Sequence, residues 1–186
     1  MERMLDGICY AMEQSGAIDP KQHAVIRYGL DLLIFSLFSL AGLLLAGIGV
    51  GRGSETAIML VTFIPLQSFG GGYHCQTHAR CFLMMLSVLM VSLLIRDLIP
   101  AVMMWSIGAV SAIPIFRLAP VQHPKAPFSE GFRKRMRAIV RSCYMAAIGV
   151  SVYLYAVGGE YRSVLMAVIL SGVSICCATV QQKRID

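Results

Sequence analysis

The chain has 186 residues, of which 57% are hydrophobic and only 14% charged, and it carries a formal net charge of +6. A water-soluble domain carries nearer a quarter charged residues, so this composition excludes a soluble globule, a disordered chain and a low-complexity segment. So few charges suffice only where lipid covers most of the surface, which makes the chain an integral membrane protein. The positive charge does not point to nucleic acid, because seven of the sixteen basic residues fall between Arg117 and Arg141, flanked by apolar runs. That placement suits a cytoplasmic membrane face or an acidic peptide partner.

In chain order, residues 1–24 form a polar segment that reads as an interfacial amphipathic helix. Met4, Leu5, Ile8 and Met12 share one helical side, with Glu2, Asp6 and Glu13 elsewhere. Those acids, with Asp19, interrupt any apolar core of a cleavable signal peptide. Asp19-Pro20 ends this helix, because proline disfavours helix in the residue before it. Six apolar segments follow, at 25–50, 56–69, 81–95, 98–116, 142–157 and 163–180. A spanning helix needs about 20 residues, so the second and third are short, and Pro65 lies inside the second. The fold class expected is all-α: a single polytopic membrane domain of about six transmembrane helices, two of them short. Residues 25–116 hold four spans, 117–141 a basic cytoplasmic loop and 142–180 the last two spans.

Orientation follows from lysine and arginine. With the N-terminus inside, thirteen of the sixteen basic residues face the cytoplasm, and only Arg52, Arg96 and Arg162 lie in outer links. The positive-inside rule therefore places both termini, and the polar stretch 70–81, on the cytoplasmic side. Six cysteines, at 9, 75, 81, 143, 176 and 177, show no secreted-framework spacing and read as reduced thiols.

The stretch Gly70-Gly71-Gly72-Tyr73-His74-Cys75-Gln76-Thr77-His78-Ala79-Arg80-Cys81 concentrates the chemistry. Ionisable groups at a membrane edge are costly and are functional candidates by default. The three glycines permit close backbone approach, as a loop receiving a peptide needs. A thiol needs a base or a positive environment to become a nucleophilic thiolate, and Cys81 opens the third apolar segment, where a helix dipole lowers a thiol pKa. His74 supplies the base if the loop folds back over Cys81. His78 competes as base, because it lies three residues before Cys81 and a helix puts both on one face. Cys75 competes as nucleophile. The same stretch also offers His74, Cys75, His78 and Cys81 as zinc-type ligands, although eight residues rarely wrap a tetrahedron. A bland connecting loop is the remaining alternative.

Gly71-Gly72-Tyr73-His74 with Cys81 seven residues after the histidine resembles the signature of the accessory gene regulator B (AgrB) family. Ala119-Pro120-Val121, Pro124-Lys125-Ala126-Pro127 and the basic run Arg133-Lys134-Arg135 are similar to that family's cytoplasmic loop, and the likeness covers essentially the whole chain. The resemblance implies a cysteine endopeptidase of a bacterial cell membrane, with His74 and Cys81 as the catalytic pair and no cofactor or metal. It implies an AgrD-like precursor peptide as substrate, with an amphipathic leader, a central signal segment and an acidic C-terminal tail. The enzyme removes the tail and helps close a thiolactone or lactone ring in a quorum-sensing signal. Gly71, Gly72, Gln67, Lys125, Arg133, Lys134, Arg135 and Arg137 are the candidate substrate contacts. Some members carry arginine where Gln67 stands, and Cys75 occupies a place often held by alanine. A homodimer is expected on the weaker ground that short helices shield a site better in pairs. A peptide transporter or membrane scaffold is the rival reading, and it lacks the repeats and mid-membrane polar residues a transporter shows.

Overall fold

In a computed structural model, the protein is described over residues 2–16, 19, 23–73, 75, 77–121 and 129–182, with side chains described from Asp6 onward. Every regular element among these is a helix: α1 (Glu2–Gln14), α2 (His23–Gly49), α3 (Gly53–Gly70), α4 (His78–Ile95), α5 (Ala101–Val110), α6 (Ala112–Arg117), α7 (Glu130–Ala156) and α8 (Tyr161–Gln182). Four of them, α2, α4, α7 and α8, are long and apolar enough to cross a membrane. The remaining two expected segments fall on α3 and on the shorter apolar stretch of α5 and α6. Leu33, Leu37, Phe38, Leu45, Leu94, Leu98 and Val102 are among many large apolar side chains left exposed. An apolar surface of that extent belongs against lipid, and the chain is a multi-pass membrane protein.

The chain forms two compact units, Met1–Gly42 and Leu43–Asp186. In the first, α1 meets the start of α2 through polar contacts. Arg27 Nε donates to Asp6 Oδ1 at 2.5 Å, and His23 Nδ1 lies 3.1 Å from Glu13 Oε2. The Asp19-Pro20 break lies partly outside the described residues, as Pro20 does.

The second unit is built around α8, which packs against α3, α5, α6 and α7. Its Val164, Val168 and Ile175 join Leu66 of α3, Ile115 of α6 and Val140, Tyr144 and Ala147 of α7 in the core. The helix between Ala101 and Arg117 breaks at Ser111. Pro114 explains the break, because it has no N–H for the carbonyl of Val110 and its ring crowds that carbonyl. Tyr144 Oη reaches across from α7 to donate to Gly108 O at 3.1 Å.

Within the interval 117–141, read from sequence as a loop, residues 130–141 are helical. α7 begins at Glu130, with Ser129 as its N-cap accepting from the Phe132 amide. Its first three turns are charged and carry no apolar run, so a search for apolar segments starts the helix too late.

At the end of this unit formed by the links α2–α3, α4–α5 and α7–α8, charges are paired. Arg96, 3% exposed, lies 2.7 Å from Glu160 and 3.2 Å from Glu55, and Arg52 lies 2.6 Å from Asp97. Arg162 donates to the carbonyls of Arg96 and Ile99. The three arginines that oppose the positive-inside count are thus each engaged, two by carboxylates and one by carbonyls.

Candidate functional site

The opposite end of the unit carries the Gly70–Cys81 stretch, which leaves α3 and enters α4. Gly70 closes α3, and its carbonyl accepts from the Val121 amide at 3.0 Å. Gly71 follows with φ 70° and ψ 162°, a backbone that side chains strain to adopt. A Cβ there would also meet Val121 O at 2.8 Å. Gly72 lies flat against the Gln67 side-chain amide, so closely that any Cβ would collide with it. A side chain at either glycine would thus meet the chain's own backbone or the Gln67 side chain.

Ser174 of α8 organises this turn. Its Oγ accepts from Gln67 Nε2 at 2.8 Å and from the Tyr73 amide at 3.1 Å. Sequence reading passed over Ser174, since one serine in an apolar helix carries no signal of a partner about a hundred residues away. The Gln67 Oε1 atom is buried without a hydrogen-bond partner among the described residues.

α4 begins at His78, three residues earlier than its apolar run suggests, because Thr77 caps it: extended at φ −130° and ψ 146°, it accepts from the Arg80 amide. Cys81 consequently sits in the first turn, half-buried, with its amide already bonded to Thr77 O at 3.0 Å. His78 is exposed and lies on the same turn of α4 as Cys81. Cys75 packs against Met84 of α4, with its Sγ 3.8 Å from the Met84 Sδ. His74 lies outside the described residues. All six cysteines are free thiols. Among the described residues no three His, Cys, Asp or Glu side chains converge as metal ligands would.

Between α3, α4 and α8 lies a pocket of about 350 Å³. Phe63 and Gln67 form its α3 wall, Met84, Met85 and Val88 its α4 wall, and Leu170, Val173, Ser174 and Cys177 its α8 wall, with Tyr73 beside them.

The basic candidates divide. Arg133, Lys134 and Arg135 are exposed on the first turns of α7. Arg137 instead turns inward, with its Nε donating to Ala119 O at 3.4 Å. Arg141 donates to Phe116 O at 2.8 Å and stacks over the Phe116 ring. These two side chains satisfy carbonyls left unpaired beyond the end of α6, as cations near a helix C-terminus do. Lys125 lies outside the described residues.

A family model described as "Accessory gene regulator B" matches residues 6–180. No curated protein and no solved structure matches the chain.

Proposed function

The chain belongs to the accessory gene regulator B family, and from that premise we propose that it is a membrane-embedded cysteine endopeptidase that matures a quorum-sensing precursor peptide. The observation that supports this reading best is a half-buried thiol, Cys81, in the first turn of α4, directly after a glycine turn anchored by Gln67 and Ser174. His74 takes the thiol proton, and the Cys81 thiolate attacks the carbonyl carbon at the tail junction. The C–N bond breaks, His74 returns the proton to the leaving amine, and a thioester remains on Cys81. A thiol or hydroxyl of the peptide then displaces Cys81 and closes the thiolactone or lactone. Exclusion of water at the membrane edge favours ring closure over hydrolysis.

The substrate is an AgrD-like peptide with an acidic tail, held by the exposed Arg133, Lys134 and Arg135. Both termini and the site face the cytoplasm of a bacterial cell, and the segment before Asp19 rests on the membrane surface. The test uses the protein in nanodiscs with a synthetic precursor that has an amphipathic start, a central cysteine and an acidic tail. Cys81→Ala and His74→Ala each abolish tail removal, while Cys75→Ala and His78→Ala keep most of it. Loss on His78→Ala with retention on His74→Ala would transfer the base to His78, which shares a helical turn with Cys81. Activity in Cys81→Ala would sink the reading.

A further inference from the structure

We propose that the pocket between α3, α4 and α8 is a specificity pocket for the side chain of the residue whose carbonyl Cys81 attacks, and that it selects large apolar side chains. This rests on the reading of Cys81 as the nucleophile. Cys81, Met84, Met85 and Val88 fall at i, i+3, i+4 and i+7 of α4, so the nucleophile and the pocket's α4 wall form one helical stripe. Helical side chains lean toward the N-terminus, which brings Met84 and Met85 up toward the turn of Cys81. One turn is about 5.4 Å along the axis. That is the scale on which a side chain extends from its own carbonyl, so an acyl group on Cys81 directs its side chain down this stripe.

The opposing wall has the same construction, since Leu170, Val173, Ser174 and Cys177 fall at i, i+3, i+4 and i+7 of α8. The volume, about 350 Å³, stands at the small end of ligand pockets, which run from about 300 to 1,000 Å³, and admits a side chain rather than a folded peptide. Two methionines, a phenylalanine and aliphatic residues make it soft and apolar, suited to side chains of several shapes. Its polar lining is the turn that Ser174 holds, where Tyr73 and Gln67 meet the apolar walls. Among the described residues the buried Gln67 Oε1 has no donor; an open acceptor costs free energy, and a peptide N–H arriving with the ligand would recover it.

The experiment measures alkylation of Cys81 by peptide mapping, in the full chain in nanodiscs, with N-acetyl aminoacyl chloromethyl ketones of alanine, leucine, phenylalanine, naphthylalanine and aspartate. The Cys81 thiolate displaces chloride from the chloromethyl carbon in each. Iodoacetamide, which has no side chain, reports the thiol alone. Cys81 should react with iodoacetamide at least tenfold faster than Cys143. If it does not, the nucleophile reading fails, and the pocket with it. Given that reactivity, the leucine and phenylalanine ketones should react at least tenfold faster than the alanine one, and the aspartate one slowest. Val173→Phe, which narrows the pocket, should bring the phenylalanine-to-alanine ratio near one. Met85→Ala, which widens it, should raise the naphthylalanine rate relative to leucine about tenfold, a gain that misfolding does not imitate. A reactive Cys81 with equal alanine and phenylalanine rates, or ratios that neither variant changes, would overturn the pocket proposal while leaving the nucleophile in place, and would give the pocket to a lipid chain.

Discussion

Ser174 accepts two hydrogen bonds from groups that are distant in sequence, and so fixes both the Gln67 amide and the Tyr73 backbone from one atom. Replacing it by alanine leaves two part-buried donors without an acceptor, a loss of about 1–3 kcal/mol for each such group. Exchange of the Tyr73 amide with deuterium should therefore speed up about tenfold or more in Ser174→Ala, and Ser174→Thr, which keeps an acceptor, should restore most of the protection. Unchanged exchange in the alanine variant would remove Ser174 as the anchor of the turn. The same turn shows what a sequence reveals about a site. The glycines and the Cys81 spacing are local, and local features are legible. The reason for the glycines is not, because Gly71 yields to Val121 and Gly72 to Gln67, contacts that exist only once α3, α8 and the segment before α7 are assembled. Ser174 was hidden for the same reason.

Among the elements, those facing lipid were the easiest to read, since hydropathy marks the surface a bilayer covers. α7 was misjudged at its start because its charged first turns carry no apolar stripe, although Ser129 and Glu130 are residues that open helices. The Arg96 cluster is the reverse case: three arginines read as a topological minority prove to be ion-paired or bonded to carbonyls. Arg96 is nearly fully buried between Glu55 and Glu160. Glu160 is 44% exposed, so the loss stays below that of a fully buried pair; Arg96→Ala should lose about 1–3 kcal/mol, the scale of a charged hydrogen-bond partner, measured by thermal unfolding in detergent. Arg96→Met, which restores volume but not charge, should still leave Glu160 without this cation while Glu55 keeps Arg52, and recover only part. A loss below 1 kcal/mol in both would make the cluster ornamental. Acid should act in the same place. Burial alone would raise the Asp97 carboxyl, but the Arg52 hydrogen bond and the nearby Arg96 and Arg52 charges outweigh it and hold the carboxyl below its usual range. A group with a lowered folded pKa contributes stability that is present above the unfolded value and lost as pH falls through the folded one. Unfolding should therefore become easier only as pH drops below about 4, the ordinary aspartate value, and Asp97→Asn should blunt that dependence.

At the scale of the whole second unit, the two ends differ in how their positive charge is used. One end neutralises Arg52 and Arg96 with carboxylates. The other, where Cys81 lies, keeps Arg133, Lys134 and Arg135 exposed on α7 while Arg137 and Arg141 are spent on carbonyls. An acidic tail would thus meet the three exposed cations of α7, and the variant that tests this is Arg133→Gln, Lys134→Gln and Arg135→Gln together, with Arg137 left in place so that the fold is spared. Ten of the thirteen inner basic residues then remain against three outside, so the positive-inside rule predicts unchanged orientation. Exposed ion pairs contribute at most about 1 kcal/mol each, so three bound the binding loss near 3 kcal/mol and a tenfold rise in KM is a realistic outcome. Because such contacts hold substrate and transition state alike, kcat should change little. Screening lengths fall from about 10 Å at 0.1 M salt to 3 Å at 1 M, so the wild type should lose its advantage as salt rises while the triple variant stays flat. Tail cleavage by both proteins across a salt series in nanodiscs makes the measurement. Equal KM values at low salt would leave these three residues to topology alone, and the claim on Cys81 would stand untouched.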